Sequence, residues 1–503
     1  MDENQDSIKI AYAKNLNRLN FNSTVNMNID ANANIKTILD VDSYIYDEKV
    51  ECGSSKAIIS GKLGVKVLYI DTDNMTNSVS DSVSFSETIL DEAITADAIV
   101  KLSECNILSN VLDSSASLKI NCDVSLNPIV YQNVGLASNG SNFESMIQKK
   151  SEINTFSILA NVNSNFEYTI NLETKDTISK ILSYDAYFSH DAISMTDEGA
   201  IVDGKMYCKL IYEMNDEEGS KIKEISDSFK LKSEVRISGV NRDCVTELNF
   251  DIDKSRTSIN TEFEEGNSIV TVTHTIRCNG VALKPISIDV IDDMYSTENE
   301  LELSTSKRDY FNALNCEHID SSISGEVTLE ASEPAIDELI SNCNIVGEIT
   351  NKYLKDGELI VEGIISSHLM YVDEYKECRH KHLELPFVIN TKIRLDKIDC
   401  LHTSISIVDS KTKERRGTVI ELDYTVQICV NRYSSDSHMM IDNFTLKNPL
   451  DYSMYDYQIF LAKPNETMWE LCKRIRISPD EISKYNKDLP QVMQGGEKVV
   501  IKR

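Results

Sequence analysis

The chain has 503 residues, 41% of them hydrophobic and 26% charged, an ordinary globular composition with apolar mass for several cores. At roughly 100–200 residues per domain, this length predicts three to five domains. A net charge of −30 repels phosphate backbones and anionic lipid, so neither nucleic acid nor a membrane surface is an expected partner.

The first residues, Met1-Asp2-Glu3-Asn4-Gln5-Asp6, lack the basic start and apolar core of a secretory signal. No apolar run approaches the length of a membrane span, so no membrane insertion is expected and a cytoplasmic protein is. The twelve cysteines are spread along the chain with no Cys-x-x-Cys pair, the spacing that zinc ribbons and thioredoxin-like sites use. They read as reduced, partly buried thiols, with cross-linking in an oxidising assembly as the alternative.

One pattern occurs three times. Leu39, Leu182 and Ile340 each end a short I-x-x-I/L element. Gly61, Gly204 and Gly363 follow 22, 22 and 23 residues later, and Tyr69, Tyr212 and Tyr371 eight residues after those. A second strand then centres on Phe85, Phe229 and Phe387, and each copy closes on a β-rich segment carrying Cys122, Cys278 or Cys429. Residues 62–67 alternate with a period of two, and residues 266–278 are rich in β-branched side chains, both strand signals. Polar turns at 71–74, 215–219 and 373–377 make each glycine-to-phenylalanine unit a hairpin. A period of about 150 residues is too long for a solenoid or a propeller blade. Each copy is expected to be a self-contained antiparallel β-sandwich or barrel, at 20–136, 155–295 and 311–436. Independent beads are expected, joined near 137–142, 296–308 and 434–437.

The tail differs from the body. From Asp451 onward there are 9 Lys+Arg against 8 Asp+Glu, leaving 42 and 73 for the rest. Tyr457–Leu461 reads as a strand. Met468, Leu471, Cys472 and Ile475 lie on one helical face, with Thr467 and Glu470 at capping-box spacing. Ser478-Pro479 starts a second helix, and Gly495-Gly496 turns into a strand at 499–501. The order is βααβ, over 456–503.

Several motif-like strings carry no chemistry. The stretch from Gly199 to Lys205 matches a P-loop, but Met206 stands where Ser or Thr must hold magnesium, and a strand follows; Gly204 reads as a hairpin glycine. Asp71-Thr72-Asp73-Asn74 resembles a calcium loop, yet Thr76 and Ser82 occupy its glycine and glutamate places. Cys378, His380 and His382 suggest half a metal site, but no fourth ligand is evident and the other copies lack these histidines. No catalytic residue, metal or cofactor is expected, and the chain reads as a non-enzyme.

Two resemblances sharpen this. Lys463-Pro464-Asn465-Glu466-Thr467-Met468-Trp469, Asn486 and the strand after Gly496 resemble the LysM family, with Asn465 in place of its glycine and Glu466 in place of its aspartate. The repeats resemble SPOCS domains of bacterial sporulation proteins. The combination resembles a family of endospore-coat morphogenetic proteins. Membership implies a mainly β chain of three tandem SPOCS domains and a small α+β LysM domain. It implies a scaffold at the forespore surface, on the mother-cell side, docking through LysM on a SpoIVA-like coat ATPase and recruiting other coat proteins. Lys463, Asn465, Thr467, Trp469 and Asn486 are the partner-binding residues it implies. The substituted loop favours protein over sugar, with peptidoglycan binding as the alternative. Self-association stays open.

Overall fold

A computed structural model of the protein describes residues 8–28, 35–113, 118–136, 145–216, 219–264, 267–395, 401–451 and 457–502. The described chain is mainly β, and its two α-helices both lie in the C-terminal module.

The first repeat contains β1 (Ile8–Asn15), β2 (Leu19–Met27), β3 (Ile35–Gly53), β4 (Lys56–Asp71), β5 (Thr76–Leu90), β6 (Ile99–Asp113) and β7 (Leu118–Leu136). The second contains β8 (Met146–Thr174), β9 (Ile178–Met195), β10 (Gly199–Asp216), β11 (Gly219–Arg236), β12 (Val245–Ile252), β13 (Ser258–Glu264) and β14 (Asn267–Ser296). The third contains β15 (Asn299–Thr328), β16 (Ile336–Lys355), β17 (Glu358–Asp373), β18 (Cys378–Arg394), β19 (Leu401–Arg415) and β20 (Val419–Pro449).

One plan serves all three. The I-x-x-I/L strand, the glycine strand and the phenylalanine strand form an antiparallel meander: β3-β4-β5, β9-β10-β11 and β16-β17-β18. A long closing strand, β7, β14 or β20, pairs with the incoming strands on one edge and the return strands on the other. The two sheets of each repeat enclose its core. In the first, Ile59, Leu63 and Val65 of β4 meet Leu118, Ile120 and Cys122 of β7, all fully buried. Alternate burial along β18 shows the period-two pattern directly.

The repeated glycine has a physical reason other than a hairpin turn. Gly61, Gly204 and Gly363 lie in mid-strand, where the pairing of first and second meander strands slips at a β-bulge. A Cβ on Gly204 would stand 2.5 Å from the Ser189 carbonyl oxygen, and one on Gly363 2.1 Å from that of Glu348. Only glycine permits that approach. The P-loop look-alike is therefore the extended start of β10. The calcium-loop look-alike is a hairpin turn. Asp71 Oδ1 accepts from the Asp73 and Met75 amides, each at 2.9 Å, as Asp373 Oδ1 does from Tyr375 and Glu377. Of the turn at 215–219, residues 217–218 lie outside the described residues.

The repeats do not hang as separate beads. They close a ring: β5 lies against β9, β11 against β16, and β18 against β3. The hallmark residues Leu39, Leu182 and Ile340 meet at its centre, packed with Leu68, Ile211 and Met370, which precede the three hallmark tyrosines. Three residues before each tyrosine, a polar group reaches the next repeat. Lys66 Nζ donates to the Leu182 carbonyl (3.2 Å), and Lys209 Nζ to that of Asn342 (2.7 Å). His368 Nδ1 meets Asp40 Oδ1 of the first repeat at 2.9 Å. Burying these apolar side chains requires the partner repeats, because no single repeat covers them.

Of the expected joints, 296–308 contains the two-residue link 297–298 between the second and third repeats, while the rest of it and 434–437 are paired strand. Residues 299–328 are β15, and 434–437 lie within β20. Their polar residues fall on the solvated face of an arm, so polarity there marks alternation and not a loop. The third, 137–142, lies outside the described residues. Strands of the repeats span 8–136, 146–296 and 299–449, beyond the expected limits. The extra lengths are three two-stranded arms, which pack through Ala13, Tyr131, Phe156, Leu283, Phe311 and Tyr433. Glu247 is buried beneath them, 3% exposed, bonded to His402 Nδ1 (2.6 Å), Asn431 Nδ2 (3.2 Å) and the Tyr433 hydroxyl. Burial would raise its carboxyl, but the His402 ring bonded to it and the hydroxyls of Tyr433 and Tyr131 hold it below the usual range.

Candidate functional site

The C-terminal module follows the expected order: β21 (Tyr457–Leu461), α1 (Met468–Ile475), α2 (Pro479–Tyr485) and β22 (Lys498–Lys502). β21 and β22 pair antiparallel, and Leu471, Cys472, Ile475, Ile482, Val499 and Ile501 form the core beneath them. Thr467 caps α1 reciprocally. Its Oγ1 accepts from the Glu470 amide (3.2 Å), and Glu470 Oε2 accepts from the Thr467 amide (2.8 Å). Ser478 caps α2 with its Oγ alone, which accepts from the Glu481 amide (3.2 Å).

The sequence-chosen residues have distinct placements. Lys463 is exposed on the loop after β21. Asn465 is exposed and left-handed (φ 61°), a conformation glycine adopts most easily and asparagine next, which explains asparagine in that place. Glu466 points inward. It binds the Arg474 guanidinium at 2.6 Å and the Lys463 amide at 2.9 Å, and the guanidinium holds its carboxyl below the usual range. Asn486 is a clamp. Its amide donates to the Ile482 and Val500 carbonyls and its oxygen accepts from the Val500 amide (2.8 Å), tying α2 to β22. Lys463, Asn465 and Thr467 thus lie near one another, while the Asn486 side chain is committed inside the module.

Trp469 faces the body of the same chain. Its ring meets Tyr295 edge-on at 5.2 Å, and Nε1 donates to Asp293 Oδ2 at 2.8 Å. Lys473 Nζ takes the other oxygen of Asp293 at 2.6 Å, and the fully buried Tyr295 donates to the Ile477 carbonyl at 2.7 Å. Burial would raise the Asp293 carboxyl, but these two donors hold it below its usual range. The module therefore sits on the tip of the second repeat's arm through its α1 face.

The opposite face is open and apolar. Tyr457, Ile459 and Leu461 project from β21 with exposures of 59, 66 and 60%. Tyr485 packs edge-on against Tyr457 at 6.5 Å, and Lys502 Nζ lies 5.8 Å from the Tyr457 ring centre. An exposed apolar stripe with a cationic rim has the composition of a protein-docking surface. Sequence reasoning missed it, although the alternation within Tyr457-Gln458-Ile459-Phe460-Leu461 carries the signal, since apolar residues lie on both faces of the strand.

A concavity of about 700 Å³ lies among the three repeats. Its walls carry mixed charge. Burial pushes Glu48 up to about 7, opposed by Arg277 at 3.6 Å, and raises Asp251.

Residues 34–119 and 177–260 match the family model described as SipL, SPOCS domain. These segments cover the meander and return strand of the first two repeats, and the third repeat, outside the match, has the same strand order. The match supports a SipL-like, sporulation-related protein. No curated protein and no solved structure matches the chain. No helix among the described residues is long and apolar enough to cross a membrane.

Proposed function

We propose that this chain is a non-enzymatic scaffold of the bacterial endospore coat. Its C-terminal module, read as a LysM domain, docks on a SpoIVA-like coat ATPase at the forespore surface, facing the mother-cell cytoplasm. The ring of repeats holds the module at a set position and offers surface to other coat proteins. The observation that carries this reading is the open stripe of Tyr457, Ile459 and Leu461, on the face turned away from the arm that anchors the module. Three neighbouring large apolar side chains, each more than half exposed, are costly in water and gain from a partner's cover. Glu466, turned inward to Arg474, leaves the loop without the free carboxylate that the resemblance places beside a sugar groove.

The test is Ile459→Glu/Leu461→Glu in the full chain, with removal of 456–503 as the gross control. Both are expected to lose co-purification with the coat ATPase and to stop encircling the forespore. Normal encirclement by the deletion overturns docking through this module. Retention of the parent chain on purified peptidoglycan, lost on removal of 456–503 and with no ATPase capture, establishes the glycan reading instead.

A further inference from the structure

We propose that His190, Cys316, His318 and Cys429 form a tetrahedral zinc(II) site that staples the second repeat to the third. The four ligand atoms lie within 4.8 Å of one another. Cys316 Sγ stands 3.6 Å from Cys429 Sγ and 3.4 Å from His318 Nε2. Zinc–sulfur bonds of about 2.3 Å and zinc–nitrogen bonds of about 2.0–2.1 Å at tetrahedral angles place two sulfurs about 3.8 Å apart and sulfur and nitrogen about 3.6 Å apart. The observed separations fit that frame within a few tenths of an ångström. The rings of His190 and His318 stand 4.6 Å apart and nearly perpendicular (84°), edge to face.

The backbone explains the convergence. Cys316 and His318 are two apart on β15, so they share one face, and His318 lies directly opposite Cys429 on β20. His190 comes from β9 of the second repeat, where it pairs with the bulge residue Gly204. Three ligands thus belong to the third repeat and one to the second. The corresponding cysteine of the first repeat, Cys122, faces Ser109 and Ser43 instead.

The donor set selects the metal. Two thiolates and two imidazoles in tetrahedral array suit zinc, and oxygen-seeking magnesium or calcium is disfavoured. Four protein ligands leave no open position for a substrate, so the zinc is structural. Cys316 is exposed, which gives the ion a path of entry. A disulfide is the rival use of this sulfur pair, but their 3.6 Å separation is far beyond the roughly 2.05 Å of a bond.

The test uses the full-length chain, purified anaerobically and reconstituted with zinc(II) or cobalt(II) alone. The expected result is one zinc per chain and, with cobalt, the thiolate charge-transfer and tetrahedral ligand-field bands. Cys316→Ser and His190→Gln, both at sites that are not fully buried, should keep the far-UV spectrum and each lose affinity by about 100-fold or more, since even outer-shell changes cost 10–100-fold. His380→Asn, outside the cluster, should bind as the parent does. Zinc should also slow amide exchange in β9 and β15 of the parent but not of His190→Gln. Failure to bind zinc, binding unchanged in both variants, or a Cys316–Cys429 disulfide in the anaerobic protein would each overturn the site.

Discussion

The closure of the ring between the third repeat and the first can be tested at one carboxylate. Asp40 is 3% exposed and accepts from the side-chain Nδ2 of Asn344 (2.7 Å) and from His368 Nδ1 (2.9 Å), both in the third repeat. The same pocket holds Asp42 and Asp185, bridged by Lys254, and the His382 ring lies 5.4 Å from that of His368, with His380 on the same strand. Burial alone would lower the His368 pKa, but the Asp40 bond and charge, with Asp185 and Asp42 behind them, raise it. A raised folded pKa means that the protonated pair stabilises fully below the unfolded value of about 6.5 and loses that contribution as pH rises through the folded value.

Asp40→Asn keeps the shape and an acceptor for Asn344 but removes the charge. Breaking a fully buried pair costs about 3–5 kcal/mol. The His368 side chain is 20% exposed, and a bond to a charged group contributes about 1.5–3 kcal/mol, so about 2–3 kcal/mol is expected near pH 6. Near pH 8.5 a neutral imidazole still donates, and the difference should shrink to about 1 kcal/mol. Urea unfolding of parent and variant at both pH values measures it, with amide exchange on β3 and β18 to locate the loss. Independent beads predict no effect, because no single repeat contains the pair. A variant within about 0.5 kcal/mol of the parent at both pH values, or a difference that does not narrow with pH, refutes ring closure through this contact.

Further outcomes follow from the packing. Gly363→Ala places a Cβ 2.1 Å from the Glu348 carbonyl oxygen and against the Phe387 ring, so it should destabilise by about 3 kcal/mol or more in chemical denaturation. Gly357→Ala, at a positive-φ turn with open space around it, should cost about 1–2 kcal/mol. Asp293→Ala removes the acceptor of Trp469 and the partner of Lys473, loosening the module by about 1–2 kcal/mol. Trp469 is the only tryptophan, so its fluorescence reports that contact directly. Because the Asp293 pKa is depressed, the parent should hold the module above about pH 4 and release it as pH falls through the folded value, whereas the variant should show no such acid step.

Much of the fold was legible in the sequence because local patterning specifies strands and caps. The recurring Leu/Ile, Gly, Tyr and Phe positions marked the meander of each repeat, and Thr467 with Glu470 marked the start of α1. The candidate site was legible only in part. Lys463, Asn465 and Thr467 share the first loop of the tail, but Trp469 is used against Tyr295 and Asp293, 174 and 176 residues earlier, a pairing no local pattern encodes. The cysteines were weighed by their spacing along the chain, which passes over a Cys316-Glu317-His318 pair completed by Cys429 and His190.

The division is physical. Sequence by itself determined what depends on neighbours along the chain: strand periodicity, turns, helix caps, the threefold repeat and the distinct tail. Tertiary structure decided what depends on which faces meet. Leu39, Leu182 and Ile340 look like ordinary core positions of three separate domains, yet they bury one another across the ring. The repeated glycine is needed for a bulge that exists only when two strands pair out of register. The open face of β21 follows from where the arm of the second repeat takes hold of α1, a contact between segments far apart in sequence whose surfaces fit only once both are folded.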